Sequence, residues 1–124
     1  MERVCFLMRV EPEQLDEYIA RHRSVWPEML EALRDTGWRN YSLFADDSGM
    51  IIGYLETENF AAAQAEMEHT AINSAWQKSM SPLFAVGGSF DDSPTRLTEI
   101  FNLEDQLAAI TTDTEHSERT TTRP

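Results

Sequence analysis

Between Leu15 and Leu33, the residues Leu15, Tyr18, Ile19, His22, Trp26, Met29 and Leu33 recur at steps of three and four. That is the spacing of one buried helix face, and Asp16, Glu17, Arg21, Arg23 and Glu31 fall between them. Tyr18, His22 and Trp26 stand one turn apart and would form a single row on a continuous helix. Each has an apolar body and a polar tip, which suits a pocket wall as well as a core. A helical His between Tyr and Trp is, taken alone, more often a satisfied core residue. Pro27 has no N–H to give the Arg23 carbonyl, so the helix should kink or restart there. Ser24 is placed to cap the restart, and a kink would free space beside His22.

Alternation marks the strands. Val4 to Val10 puts Val4, Phe6, Met8 and Val10 on one face and Cys5 and Leu7 on the other, so both faces are apolar and both need cover. The first helix starts at Glu11-Pro12-Glu13 and ends at Gly37. Trp38 to Ala45 alternates Trp38, Asn40, Ser42 and Phe44 against Arg39, Tyr41, Leu43 and Ala45. The Asp46–Gly49 cluster then turns the chain into a third strand, Met50 to Thr57. Asn59 caps a helix over Phe60–Glu68 with Phe60, Ala63 and Met67 inward, closed by His69 and Thr70. A second piece over Ala71–Met80 carries Ile72, Ala75, Trp76 and Met80, and Pro82 ends it or starts a brief extra turn. Gly87, Gly88 and Asp91 to Pro94 make a turn-rich loop, and Arg96 to Leu103 is the last strand.

The order strand, helix, strand, strand, helix, strand predicts an α+β fold on the ferredoxin-like βαββαβ plan, an antiparallel sheet with helices on one face. Residues 1–104 make up this domain. Residues 105–124 are a C-terminal extension, expected to be mostly disordered from about residue 111, where Thr, Glu and Arg dominate. A short helix over Leu103–Ile110 is open. The uncovered sheet face argues for a homodimer in which two sheets pack into an α/β barrel-type assembly.

The chain of 124 residues has 10 Lys and Arg against 22 Asp and Glu, a formal charge of −12. Such a surface repels nucleic acid and anionic membranes and favours a small neutral ligand. The only cysteine, Cys5, excludes an intrachain disulfide. No run has the layout of a membrane span or signal peptide, so a cytoplasmic location is expected. The histidines are His22, His69 and His116. Glu66 and His69 make one weak copy of a metal spacing, and His69 better suits a helix C-terminus. His116 lies in the tail, so no metal site is expected. Gly87-Gly88 lacks the setting of a phosphate loop, and the Asp46-Asp47 and Asp91-Asp92 pairs are solvated turns.

The segment Tyr18-x-x-x-His22-x-x-x-Trp26-Pro27-Glu28 resembles the L-rhamnose mutarotase family. The likeness continues through Asn40-Tyr41, Trp76 with Lys78 and Met80, Asp91 to Pro94, and Glu99 with Phe101. The resemblance implies a dimeric ferredoxin-like enzyme without a cofactor. It implies His22 as the acid/base residue and Tyr18, Tyr41 and Trp76 as sugar contacts. Gln77 and Ser79 stand where the family commonly has further aromatics. They change the shape and polarity of the pocket wall, and Gln77 joins the substrate-binding set.

The chemistry suits these residues. Exchanging α and β anomers of a pyranose requires loss of the anomeric hydroxyl proton, protonation of the ring oxygen, rotation and reclosure. One imidazole titrating near neutrality can move such protons. The expected roles are His22 protonating the ring oxygen while water or a second polar group takes the hydroxyl proton, Tyr18 and Tyr41 holding hydroxyls, and Trp76 lying against the C–H face. Two other classes fit the same fold: a cofactor-free monooxygenase or haem-binding dimer, and a sugar-binding module without catalysis.

Overall fold

The computed structural model describes residues 1–85 and 95–112. The expected loop at Gly87–Pro94 and the tail with His116 lie outside the described residues. β1 (Glu2–Arg9) buries Val4, Phe6 and Met8, with Val10 just beyond it, and leaves Cys5 and Leu7 only half covered. One 3-10 turn at Pro12–Gln14 leads into α1 (Leu15–His22) and α2 (Pro27–Asp35). β2 (Arg39–Ala45) and β3 (Met50–Thr57) form the hairpin, followed by α3 (Phe60–Glu68) and α4 (Ala71–Met80). β4 (Thr95–Leu97) rejoins the sheet before α5 (Leu103–Thr112). The sheet is antiparallel in the order β2-β3-β1-β4. Leu15 and Tyr18 of α1, Met29 of α2, Phe60 and Met67 of α3, and Trp76 and Met80 of α4 share one core with its inner face. This is the α+β, ferredoxin-like arrangement. No helix among the described residues is long and apolar enough to cross a membrane.

The capping signals at α3 and α4 act as their chemistry dictates. Asn59 Oδ1 accepts from the Ala62 amide at 3.0 Å, and Thr70 Oγ1 accepts from the Asn73 amide at 3.2 Å. The expected break at Pro27 is also present, but Ser24 does not cap it. The residue before a proline is pushed toward extended backbone. Trp26 therefore takes the cap position at φ −54°, ψ 133°, with Pro27 opening α2 and no side-chain cap. Trp26 consequently leaves the α1 row.

Simple alternation also fails in β2. A register shift lies between Arg39 and Ser42, and Asn40 sits at φ 51°. The extra residue rotates the strand, so Trp38 and Tyr41 both turn to the core, ring centroids 5.0 Å apart, instead of facing opposite ways. A β-branched residue tolerates that backbone badly. Asn40→Val is expected to cost about 1–3 kcal/mol in urea unfolding and Asn40→Gly much less; equal losses would show that the left-handed backbone is not what Asn40 supplies.

The last strand is shorter than the expected Arg96–Leu103. It pairs only with Cys5, Phe6 and Leu7 of β1. Beyond Leu97, Arg3 is drawn to Glu99 by a two-pronged ion pair, and Asn102 Oδ1 accepts from the Asp105 amide, starting α5 in place of more strand. Ala75 of α4 is exposed, and Asn73 takes the inward place. The outer sheet face carries a continuous row: Phe44 is opposite Ile52, which is opposite Leu7, and Tyr54 is opposite Cys5, which is opposite Leu97.

Candidate active site

α1 carries Tyr18 and His22 one turn apart, and their rings stack with centroids 4.2 Å apart and planes 30° apart. Nδ1 of His22 lies 2.8 Å from the Tyr18 carbonyl oxygen. A carbonyl can only accept, so Nδ1 donates and the lone pair of the neutral ring is on Nε2. Burial lowers the His22 pKa from its ordinary 6.5, outweighing the opposite pull of that carbonyl. The imidazole is therefore a free base at neutral pH. Nε2 has no protein hydrogen-bond partner among the described residues.

Trp76 of α4 meets the His22 ring edge-on at 5.4 Å, and Trp26 in turn meets Trp76 edge-on at 4.9 Å. The spacing of α1 and α4 is held by Arg21, whose guanidinium bonds Glu17 on its own helix and the Ser79 carbonyl at 2.8 Å. Ser79 thus serves as a clip between helices and does not line the pocket. Tyr41 reaches in from β2, braced by Trp38 and by Phe6, the latter at 6.2 Å. Burial raises the phenol pKa values of Tyr18 and Tyr41, and each remains a neutral O–H donor.

These side chains surround one cavity of about 440 Å³, within the usual range for small-molecule pockets. The sequence-selected Tyr18, His22, Tyr41, Trp76 and Gln77 all line it, while Trp26 does not. Met8, Met29, Leu33 and Met67 supply much of the apolar wall. Sequence reasoning missed Asn73, 3% exposed, which accepts from Gln77 Nε2 at 3.3 Å in the same wall. Its signal was the step of three and four from Asn73 to Trp76 and Met80. His69 is exposed at the α3 terminus with Nδ1 on the Ala65 carbonyl, far from this chemistry in role. No group of three or more metal-ligating side chains occurs among the described residues.

The arrangement offers one unprotonated imidazole nitrogen, two neutral phenols and an aromatic wall to a small neutral molecule. Structures of similar shape include the crystal structure of an L-rhamnose mutarotase from Formosa agariphila, at TM-score 0.69 and 26% identity over 82% of this chain and 98% of that one. An antibiotic biosynthesis monooxygenase matches at TM-score 0.56 but 19% identity, over 82% of this chain and 100% of its own, which is a likeness of fold alone. In sequence, an L-rhamnose mutarotase from Oceanobacillus iheyensis is 40% identical over 107 residues, covering 84% of this chain and 100% of the relative. The family model for L-rhamnose mutarotase matches residues 3–103, the span that holds the sheet, α1 to α4 and every residue lining the cavity. The chain belongs to the L-rhamnose mutarotase family.

Proposed function

We propose that this protein interconverts the α and β anomers of L-rhamnose or a related 6-deoxy monosaccharide, with His22 as the proton-transfer residue. The observation that carries this reading is the His22 ring in the wall of a monosaccharide-sized hollow, with Nδ1 held on the Tyr18 carbonyl and Nε2 left as the basic nitrogen. In the forward direction Nε2 takes the proton of the anomeric hydroxyl, the C1–O1 bond becomes a carbonyl, and the bond from C1 to the ring oxygen breaks. The ring oxygen shares C1 with that hydroxyl, so the imidazolium is placed to deliver the proton to it. Protonation of the ring oxygen by His22 is thus the second half of its cycle, preceded by service as base. A phenol O–H of Tyr18 or Tyr41 stabilises the charge gathering on the departing oxygen. Trp76 lies against the C–H face, and Gln77 completes the binding wall. Rotation about C1–C2 and the reverse steps close the ring on the other carbonyl face.

Saturation-transfer NMR at the anomeric protons measures this exchange directly. Added enzyme should raise the exchange rate of L-rhamnose well above the uncatalysed rate, with L-fucose and other monosaccharides as controls. Binding of one anomer with no change in rate would replace the enzyme with a binding module.

We further propose a cytoplasmic homodimer, with Cys5 as a reduced thiol. The row of Phe44, Ile52, Tyr54, Leu7 and Leu97 on the outer sheet face supports it, Phe44 being 61% exposed in the single chain. Sedimentation should give a two-chain mass that Leu7→Glu reduces to one. A wild-type monomer at assay concentration would reject the dimer.

A further inference from the structure

α1 gives Tyr18 and His22 to the cavity wall, and α4 gives Trp76, Gln77 and Met80. Atoms that border a cavity lack packing neighbours on that side, so the relation between two such helices depends on contacts made outside it. Arg21 supplies one from beyond the lining residues. Its Nε donates to Glu17 Oε2 at 2.7 Å, one turn back on α1, which directs the guanidinium. Its Nη1 donates to the Ser79 carbonyl at 2.8 Å and reaches Ser79 Oγ at 3.3 Å.

The chemistry of both ends calls for arginine. The Ser79 carbonyl lies in the last turn of α4, where carbonyls lack an intrahelical partner and the helix dipole is negative. A guanidinium answers that dipole with its charge, and its planar fork serves Glu17 and Ser79 at once, which the single ammonium of lysine does not. Each helix moves as a rigid unit, so fastening Arg21 of α1 to Ser79 of α4 also fixes His22 of α1 against Trp76 of α4. Those two rings meet edge-on with centroids 5.4 Å apart.

We propose that Arg21 is a positioning residue for anomer exchange: by clasping the end of α4 to α1 it sets the spacing of the His22 imidazole and the Trp76 indole in the cavity wall, and through that spacing the rate of proton transfer. Arg21 lies outside the cavity lining and acts only through these two rings. A misplacement of about 1 Å at a reacting group can lower a rate by about 100-fold, so a clasp remote from the chemistry has a measurable effect on it. This rests on the mutarotase reading above.

Arg21→Met keeps the aliphatic stem and removes the fork. The fold should survive, because the Arg21 side chain is 36% exposed and exposed ion pairs contribute little stability. By saturation-transfer NMR, kcat for L-rhamnose exchange should fall about 10- to 100-fold with a smaller change in KM. The Cε1–H resonance of His22 should move in the same protein. Tyr18 rides on α1 with His22 and keeps its ring current, whereas the Trp76 ring shifts with α4. The resonance of His69, exposed at the end of α3, should stay in place as the internal reference. Should Arg21→Met fail to fold, Arg21→Lys is read by the same criteria, with a smaller fall in kcat expected. A wild-type kcat in the variant, a change confined to KM, or a fall in kcat with the His22 resonance unmoved overturns the positioning role and leaves the mutarotase reading intact. A wild-type enzyme that exchanges no sugar overturns both.

Discussion

Replacing His22 by Ala is expected to lower the catalysed exchange of L-rhamnose anomers by about 10²- to 10⁴-fold, the range that positioned acid/base help contributes. The protein should remain folded by circular dichroism, because His22 is only half-buried and the core beneath it is made by Leu15, Tyr18 and Trp76. The pH profile supplies a second readout. Burial holds the His22 pKa below 6.5, so the reactive free base prevails above that pH and the rate should be level there. As the pH falls through that depressed pKa, Nε2 gains a proton, cannot accept the anomeric one, and the rate should decline with unit slope. The same depression makes the unfolded chain bind the proton more readily. The stability it confers is therefore complete above pH 6.5 and declines as the pH falls through the interval down to the folded-state value. An acid limb that persists in His22→Ala, or one centred above 6.5, would transfer the role to another group.

Those features of the site that depend on local periodicity could be read before any coordinates. Tyr18 and His22 stand one turn apart on a helix, Trp76 lies on the inward row of α4, and both relationships follow from a period near 3.6. The hairpin was equally plain, because Asp46 folds back to accept from the Ser48 and Met50 amides, as an Asp at a turn does. Less legible were features set by a single residue acting against the local pattern. Asn40 inserts a bulge that alternation cannot register, and that bulge alone brings Tyr41 and Trp38 to the same side. Asn102 ends the strand pattern after Leu97 by capping a helix, although Ile100 and Phe101 continue the apolar alternation. Ser79 is adjacent in sequence to the pocket wall, yet its partner is Arg21, 58 residues away, and no spacing rule anticipates that. Asn73 was obscured for a related reason. A polar residue on an amphipathic helix is assigned to the solvent side by default, and only the cavity gives it an inward role.

Gly53→Ala is expected to destabilise the fold by about 1–3 kcal/mol, a fall in Tm of roughly 5–15 °C, through overpacking at the centre of the sheet. Gly53 is buried in β3 directly opposite Phe6 of β1. The Phe6 ring lies over the glycine, so that an added Cβ would fall on its Cζ and Cε1 atoms. The ring cannot swing aside at little cost, because Phe6 is 1% exposed and its other neighbours include Tyr41. Displacement would therefore propagate to the phenol in the sugar cavity, and anomer exchange by the folded fraction should fall along with stability. Pairing Gly53→Ala with Phe6→Leu tests the cause. Leu lacks the far edge of the ring, so the double variant should lose less stability than the two single losses added together. Strict additivity, or a Gly53→Ala protein that melts with the wild type, would show that the ring is free to move and that Tyr41 is positioned by the Asn40 bulge and Trp38 alone.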